Sequence, residues 1–308
     1  MTEPPLLSVG IPNYNHAEYL AEAVESVMEQ SRPADEVIVV DDASTDDSPR
    51  VLDELERRYP SLEVIRHERN RGVLATVGEM LERSRGRYVF FAGADDRALP
   101  ALFERSLGLL ERHPEAAFCS SLSLLIDEHG RELGIFDSPV IARRAGYVSP
   151  SRARSALLHY DSWVMSNTLI YRKDVLLEAG GFRPELGAIS DTFVALLMAL
   201  RHGACFIPEP LGAWRRLDTG YASTSTRDQA SYRKLIEGMA TAMRTERPEL
   251  FDERLVEVWV RRRLLELELK DATRAERARR KLAFHWRSRV SFGRPLRRRL
   301  RPRGRYVG

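Results

Sequence analysis

The residues best suited to chemistry are acids at the ends of apolar runs. In "YVFFAGADDRALP" (88–100), the run Tyr88–Ala92 reads as a buried strand that stops at Gly93-Ala94 and delivers Asp95 and Asp96 side by side. Adjacent carboxylates repel each other and are costly to desolvate. A chain that sets them at the mouth of a core strand presents them to a ligand or a cation, not to the interior. The structural alternative is that one of them caps a helix over 99–112. Other runs end in similarly polar residues: Pro12-Asn13-Tyr14-Asn15 after 6–12, "DDASTDDS" (Asp41 to Ser48) after 36–40, and "RNRG" (69–72) after 62–67.

The elements between these endings decide whether they meet. Strand-like runs at 6–12, 36–40, 62–67, 88–93 and 116–126 alternate with helical patterns. In 17–28, Ala17, Leu20, Ala21, Val24, Val27 and Met28 recur at helical spacing. Ser48-Pro49 supplies a cap and a first-turn proline for a helix over 49–58, and 73–83 and 99–112 follow suit. Alternating strands and helices with continuous apolar strands predict an α/β fold, a mostly parallel sheet flanked by helices. Such sheets bind ligands beyond the carboxyl ends of their strands, so the polar endings converge on one edge.

After 127 the pattern changes. "DEHGRELG" reads as a turn, 149–160 as a helix capped by Ser149, "SNTLIYRK" (166–173) as a strand, and 190–203 as a helix capped by Ser190 or Asp191. "LGAWRR" (211–216) is a further strand candidate before a Ser/Thr/Gly-rich loop, and helices follow from 229. The expected organisation is a catalytic domain over 1–228 and a helical extension over 229–308.

Composition sets limits. Of 308 residues, 43% are apolar and 30% charged, as in an ordinary globular protein. Cys119 and Cys205 stand far apart without CxxC spacing, which argues against a zinc site or a disulfide framework and suits a reducing cytoplasm. The opening residues read as neither signal peptide nor membrane span. The net charge of +3 is uneven: residues 271–308 carry 14 Arg or Lys against 2 Asp or Glu, and 1–270 carry 34 against 43. A basic tail on an acidic body suits an anionic partner, and its sparse aromatic residues argue against nucleic acid. Residues 272–305 read as an interfacial helix for the inner face of the membrane, or as one packed on the body or on a second subunit in a homodimer.

Taken in order, "SVGIPNYNHAEYLAEAVESVMEQ", "EVIVVDDASTDDS", "NRGV", "GRYVFFAGADDRALP", "EAGGFRPEL", "SDTFVALLMALRHG" and "LGAWRR" resemble the family 2 glycosyltransferases with the nucleotide-sugar-binding GT-A fold, over roughly residues 6–226. The resemblance implies an inverting, metal-dependent transfer of the hexosyltransferase type. The donor is a nucleotide-diphosphate sugar, with UDP as the expected nucleotide, and the acceptor a saccharide or lipid-linked hydroxyl of a bacterial surface polysaccharide or glycolipid. It assigns Mg²⁺ or Mn²⁺ to Asp95, with Asp96 beside it, because hard cations prefer carboxylate oxygens. It places Asp41 and Asp42 at the nucleobase, Pro12 and Tyr14 along base or ribose, and Arg71 (or Arg69) near base or phosphate. Arg215, in an aromatic-Arg pair before a lid over 217–227, falls to the leaving diphosphate. Asp191 is the expected catalytic base. Two positions depart from the family pattern: Gly93 and Ser190 stand where acids are usual, which keeps a catalytically impaired sugar-nucleotide binder as an alternative. A sugar nucleotidyltransferase would need a Gly-rich loop that "IPNYNHAEY" lacks. His16, His67, His159 and His202 show no ligand spacing and read as structural or exposed.

Overall fold

The computed structural model describes residues 6–160, 162–217, 220 and 228–269. Its first half follows the alternation read from the sequence. Strands β1 (Leu7–Asn13), β2 (Glu36–Asp41), β3 (Leu62–Arg66) and β4 (Tyr88–Phe91) alternate with helices α1 (Ala17–Met28), α2 (Ser48–Arg58) and α3 (Val73–Arg83). β1 pairs in parallel with β2 on one side and β4 on the other, and β2 pairs with β3. All six residues of β2 are buried, as a strand covered on both faces requires. α1 turns Leu20, Ala23, Val24 and Val27 inward. The spatial order β3-β2-β1-β4 reverses direction between β1 and β4, which opens a crevice at their carboxyl ends.

The rest of the sheet is mixed. The short β5 (Arg97–Ala98) precedes α4 (Leu102–Arg112), followed by β6 (Phe118–Ile126), β7 (Glu132–Ile135), β8 (Gly146–Val148), α5 (Pro150–His159), β9 (Ile170–Arg172), α6 (Lys173–Glu178), α7 (Ser190–His202) and β10 (Ala204–Arg215). β9 runs antiparallel between β4 and β6, and β10 lies parallel to β6 and antiparallel to β5.

Several expectations shift here. The helix expected at 99–112 begins only at Leu102, because residues 97–98 pair with β10 and Ala101 takes a left-handed φ of 68°. Asp95 and Asp96 therefore do not cap it. The strand expected at 211–216 extends back to Ala204: Pro208 and Pro210 sit where the register slips against β6, the irregularity that lets prolines occupy a strand. The turn at 127–134 is confined to the bend before β7, whose Gly134 and Glu132 pair back onto β6. The 166–173 strand divides into a 3₁₀ turn (Ser166–Thr168) and β9. Ser190 and Asp191 do not cap α7. The Ser190 hydroxyl accepts the Arg183 N–H, and the cap position falls to Ile189.

Helices α8 (Gln229–Glu246) and α9 (Glu253–Glu268) join the core that α7 begins. Phe193 of α7 stacks on Phe251 at 6.1 Å, and Trp259 of α9 is fully buried. Arg262 donates to the carbonyls of Leu157 and Leu158 at the end of α5, where a cation offsets the helix dipole. Among the described residues no helix is long and apolar enough to cross a membrane. The basic segment 272–305, nearly all of the expected lid and Asp161 lie outside the described residues.

Candidate active site

Because β1 is flanked by β2 and β4, the loops after these three strands meet. At the end of β1, Asn13 Nδ2 donates to Asp41 Oδ1 at 2.7 Å, and Asp41 also accepts the Ser44 hydroxyl (2.5 Å) and N–H (3.2 Å). Asn15 Oδ1 accepts the Thr45 N–H at 2.7 Å, and Ala17 N–H donates to Asp46. This lacing holds two non-glycine residues in left-handed backbone, Asn15 at φ 57° and Ala43 at φ 60°. Such strain persists where the surroundings over-determine it, often at functional sites. Pro12 is half-buried beside this lacing, and Tyr14 stands 44% exposed at its mouth.

Asp42 faces the other way. It accepts His67 Nδ1 (2.7 Å) and the backbone N–H groups of Arg71 and Gly72 (both 2.8 Å). Burial alone would push its carboxyl up. The donors of His67, Arg71 and Gly72 outweigh burial and hold it below the usual carboxylate range. The Arg71 side chain pairs with Glu79. His67, read from the sequence as structural or exposed, is the buried bridge between Asp42 and Glu79, a role that isolated-histidine spacing could not signal.

After β4, Asp95 and Asp96 converge. A methyl carbon placed on Gly93 would lie 3.0 Å from Asp95 Oδ1 and 3.1 Å from Asp96 Oδ2. The bare glycine thus leaves open the space that both carboxylates flank. Burial, and then the charge of Asp95, push the Asp96 carboxyl well above its ordinary range. Two converging hard oxygens with one charge under pressure are a donor set that fits Mg²⁺ or Mn²⁺. Among the described residues no cluster of three or more His, Cys, Asp or Glu gathers round a point.

Arg215 stands behind the pair, at the end of β10. It is 2% exposed, and its backbone N–H donates to Asp96 Oδ1 at 2.9 Å. Its guanidinium donates to the carbonyls of Asp95 (2.8 Å), Asp127 and Glu128 (both 3.1 Å), pairs with Glu22 and lies 4.6 Å from the Tyr19 ring centroid. The guanidinium is thus turned into the protein, where it fixes the Asp95-Asp96 turn. Contact with a diphosphate, its expected role, would require these bonds to open. Arg216, next in the chain, is exposed.

Asp191 sits in the first turn of α7, where a carboxylate is favoured by the helix dipole. One carboxylate oxygen accepts the Ser166 hydroxyl and the other accepts the Thr192 N–H. It connects to the rest through β10. Gly212, three residues before Arg215, packs tightly on Asn167 and Thr168, and Ser166 next to them holds Asp191. Ser166 gave no signal in the sequence, because a lone serine in a strand-like run has no pattern.

The sheet order and its flanking helices are those of the GT-A fold. The fold matches that of Staphylococcus aureus TarS 1–349 in complex with UDP-GlcNAc, with a TM-score of 0.66 at 20% identity over 83% of this chain and 72% of that one. It also matches the mannosyltransferase PcManGT of Pyrobaculum calidifontis in complex with GDP-Man and Mn²⁺, with a TM-score of 0.61 at 20% identity over 94% and 83%.

Residues 8–131 match the model for glycosyl transferase family 2. It is 35% identical over 124 residues to TuaG of Bacillus subtilis, a putative teichuronic acid biosynthesis glycosyltransferase. That match covers 40% of this chain and about half (49%) of TuaG. It is 25% identical over 212 residues to the amylovoran biosynthesis glycosyltransferase AmsE of Erwinia amylovora, covering 67% of this chain and 74% of AmsE.

Proposed function

We propose that the protein transfers a sugar, with inversion, from a nucleotide-diphosphate sugar to a hydroxyl of a saccharide or lipid-linked acceptor in surface-polysaccharide or glycolipid assembly. The carrying observation is the convergence of Asp95 and Asp96 over Gly93, beside the laced loops after β1 and β2. TarS in complex with UDP-GlcNAc supports UDP as the carrier, and TuaG of teichuronic acid biosynthesis supports a surface polysaccharide as the product. PcManGT with GDP-Man and Mn²⁺ supports the metal.

In this reading Asp95 and Asp96 would hold Mg²⁺ or Mn²⁺, which when bound neutralises charge on the departing diphosphate. Asp41 and Asp42 border the base, and Pro12 and Tyr14 line base and ribose. Arg71 is tied to Glu79, so it serves the base side of the pocket through its backbone position. Arg215 supports the diphosphate site from behind by fixing the carboxylate turn. Asp191 takes the proton of the attacking hydroxyl, oriented for it by Ser166 and the Thr192 N–H. The two departures from the family pattern have local roles that do not require loss of function. Gly93 keeps the space between the carboxylates clear, and Ser190 ties α7 to the Arg183 backbone.

Calorimetry of UDP, GDP and dTDP with and without Mn²⁺, on wild type and Asp95→Ala, tests the reading. Metal-dependent binding that Asp95→Ala abolishes is expected. Binding of none of the three, or metal dependence that survives the substitution, would overturn it.

A further inference from the structure

The network behind Asp42 does more than fill space. His67 Nδ1 lies 2.7 Å from Asp42 Oδ1 and Nε2 lies 3.1 Å from Glu79 Oε2, with the imidazole only 8% exposed. The ring thus spans the gap between the two carboxylates. The groups facing it are Asp42 at the end of β2, Glu79 on α3 and Arg71 in the loop between β3 and α3, whose Nη1 stands 3.5 Å from Nε2. Arg83 sits behind Glu79, and Arg66 on the preceding strand is turned to Asp53 and Glu56. Asp41 meets His67 through its carbonyl, which accepts the His67 N–H, and Glu68 and Arg69 are exposed.

Asp42 in turn receives the N–H groups of Arg71 and Gly72, the turn that enters α3 with Gly72 at φ 86°. That conformation is open to glycine and costly for other residues. Removing the ring takes one of three donors from Asp42 and leaves a buried charge with weaker support. The loss falls on the tie between the end of β2 and this turn.

We propose that His67 is a positioning residue for the donor: it fixes Asp42, and through Asp42 the Arg71-Gly72 turn, at the nucleobase side of the pocket. This rests on the donor-site reading above.

The test uses the full chain with UDP and Mn²⁺, by calorimetry at constant pH, with hydrogen exchange of the Gly72 amide alongside. His67→Ala is expected to bind UDP about tenfold more weakly than wild type and to exchange the Gly72 amide faster. His67→Asn, whose amide can donate to Asp42 from the place of Nδ1, is expected to recover most of the affinity. UDP affinity and Gly72 exchange unchanged in a folded His67→Ala overturn the proposal. Absence of UDP binding by wild type removes the donor-site reading itself, and is distinguishable from equal binding by the two proteins.

Discussion

Asp96→Asn is nearly isosteric. The amide Oδ1 still accepts the Arg215 N–H now bonded at 2.9 Å, so packing and the turn are kept while one of two adjacent charges is removed. Burial and Asp95 push the Asp96 carboxyl up in the folded state, with the Arg215 contacts opposing them. Between the ordinary carboxylate range and this raised one, the folded protein holds a proton that the unfolded chain has released. Stability therefore falls as pH rises through that window, and above it the full cost is present. Asp96 is partly accessible at the surface, so the cost of its poorly supported charge at neutral pH is of the size of an unsatisfied buried group, about 1–3 kcal/mol. Without metal, Asp96→Asn is expected to melt roughly 2–6 °C above wild type near neutral pH. The gap should close on acidification, when wild-type Asp96 takes its proton. Scanning calorimetry across pH, with chelator and with Mn²⁺, reads both effects. Mn²⁺ should stabilise wild type more than the variant. A variant that melts below wild type without metal, or a gap independent of pH, would refute the charge-pressure argument.

Other outcomes follow from the same geometry. Asp191→Asn should keep UDP affinity and lose ~10²–10⁴ in transfer rate, measured by nucleotide release with acceptor present; near-normal turnover would move the base elsewhere. Arg215→Met leaves the carbonyls of Asp95, Asp127 and Glu128 without their donor, and should cost about 2–4 kcal/mol in urea unfolding together with a loss of metal-dependent UDP affinity. Trp259→Ala should cost about 3–5 kcal/mol in the same assay, because α9 shares a core with α7 and α5; a cost below about 1 kcal/mol would make the C-terminal helices a peripheral addition.

The parallel half of the sheet was legible because its signals are local. Strands buried on both faces read as apolar runs, and Ser48-Pro49 marks the start of α2, although Asp47 and not Ser48 takes the cap position. The start of α4 was misplaced because Arg97-Ala98 pairs with β10 more than a hundred residues away, a partnership no local pattern contains. β10 was cut short because Pro208 and Pro210 argue against a strand, and only the slipped register on β6 accommodates them. In the site, the carboxylates could be named from the sequence, but not their partners. The His67 bridge, the Ser166 contact to Asp191 and the inward Arg215 all depend on which loops the sheet order brings together.

Nucleotide release measures transfer from a nucleotide-diphosphate sugar directly. The purified chain, Mn²⁺ and a panel of UDP-, GDP- and dTDP-sugars are incubated with and without candidate saccharide acceptors, with Asp95→Ala and Asp191→Asn alongside. Wild type is expected to hydrolyse at least one donor slowly in a metal-dependent way and to be accelerated by an acceptor, with inverted anomeric configuration in the product by NMR, and Asp95→Ala to lose both. Absence of release from every donor, or release that Asp95→Ala and Asp191→Asn leave unchanged, would contradict the proposed transfer.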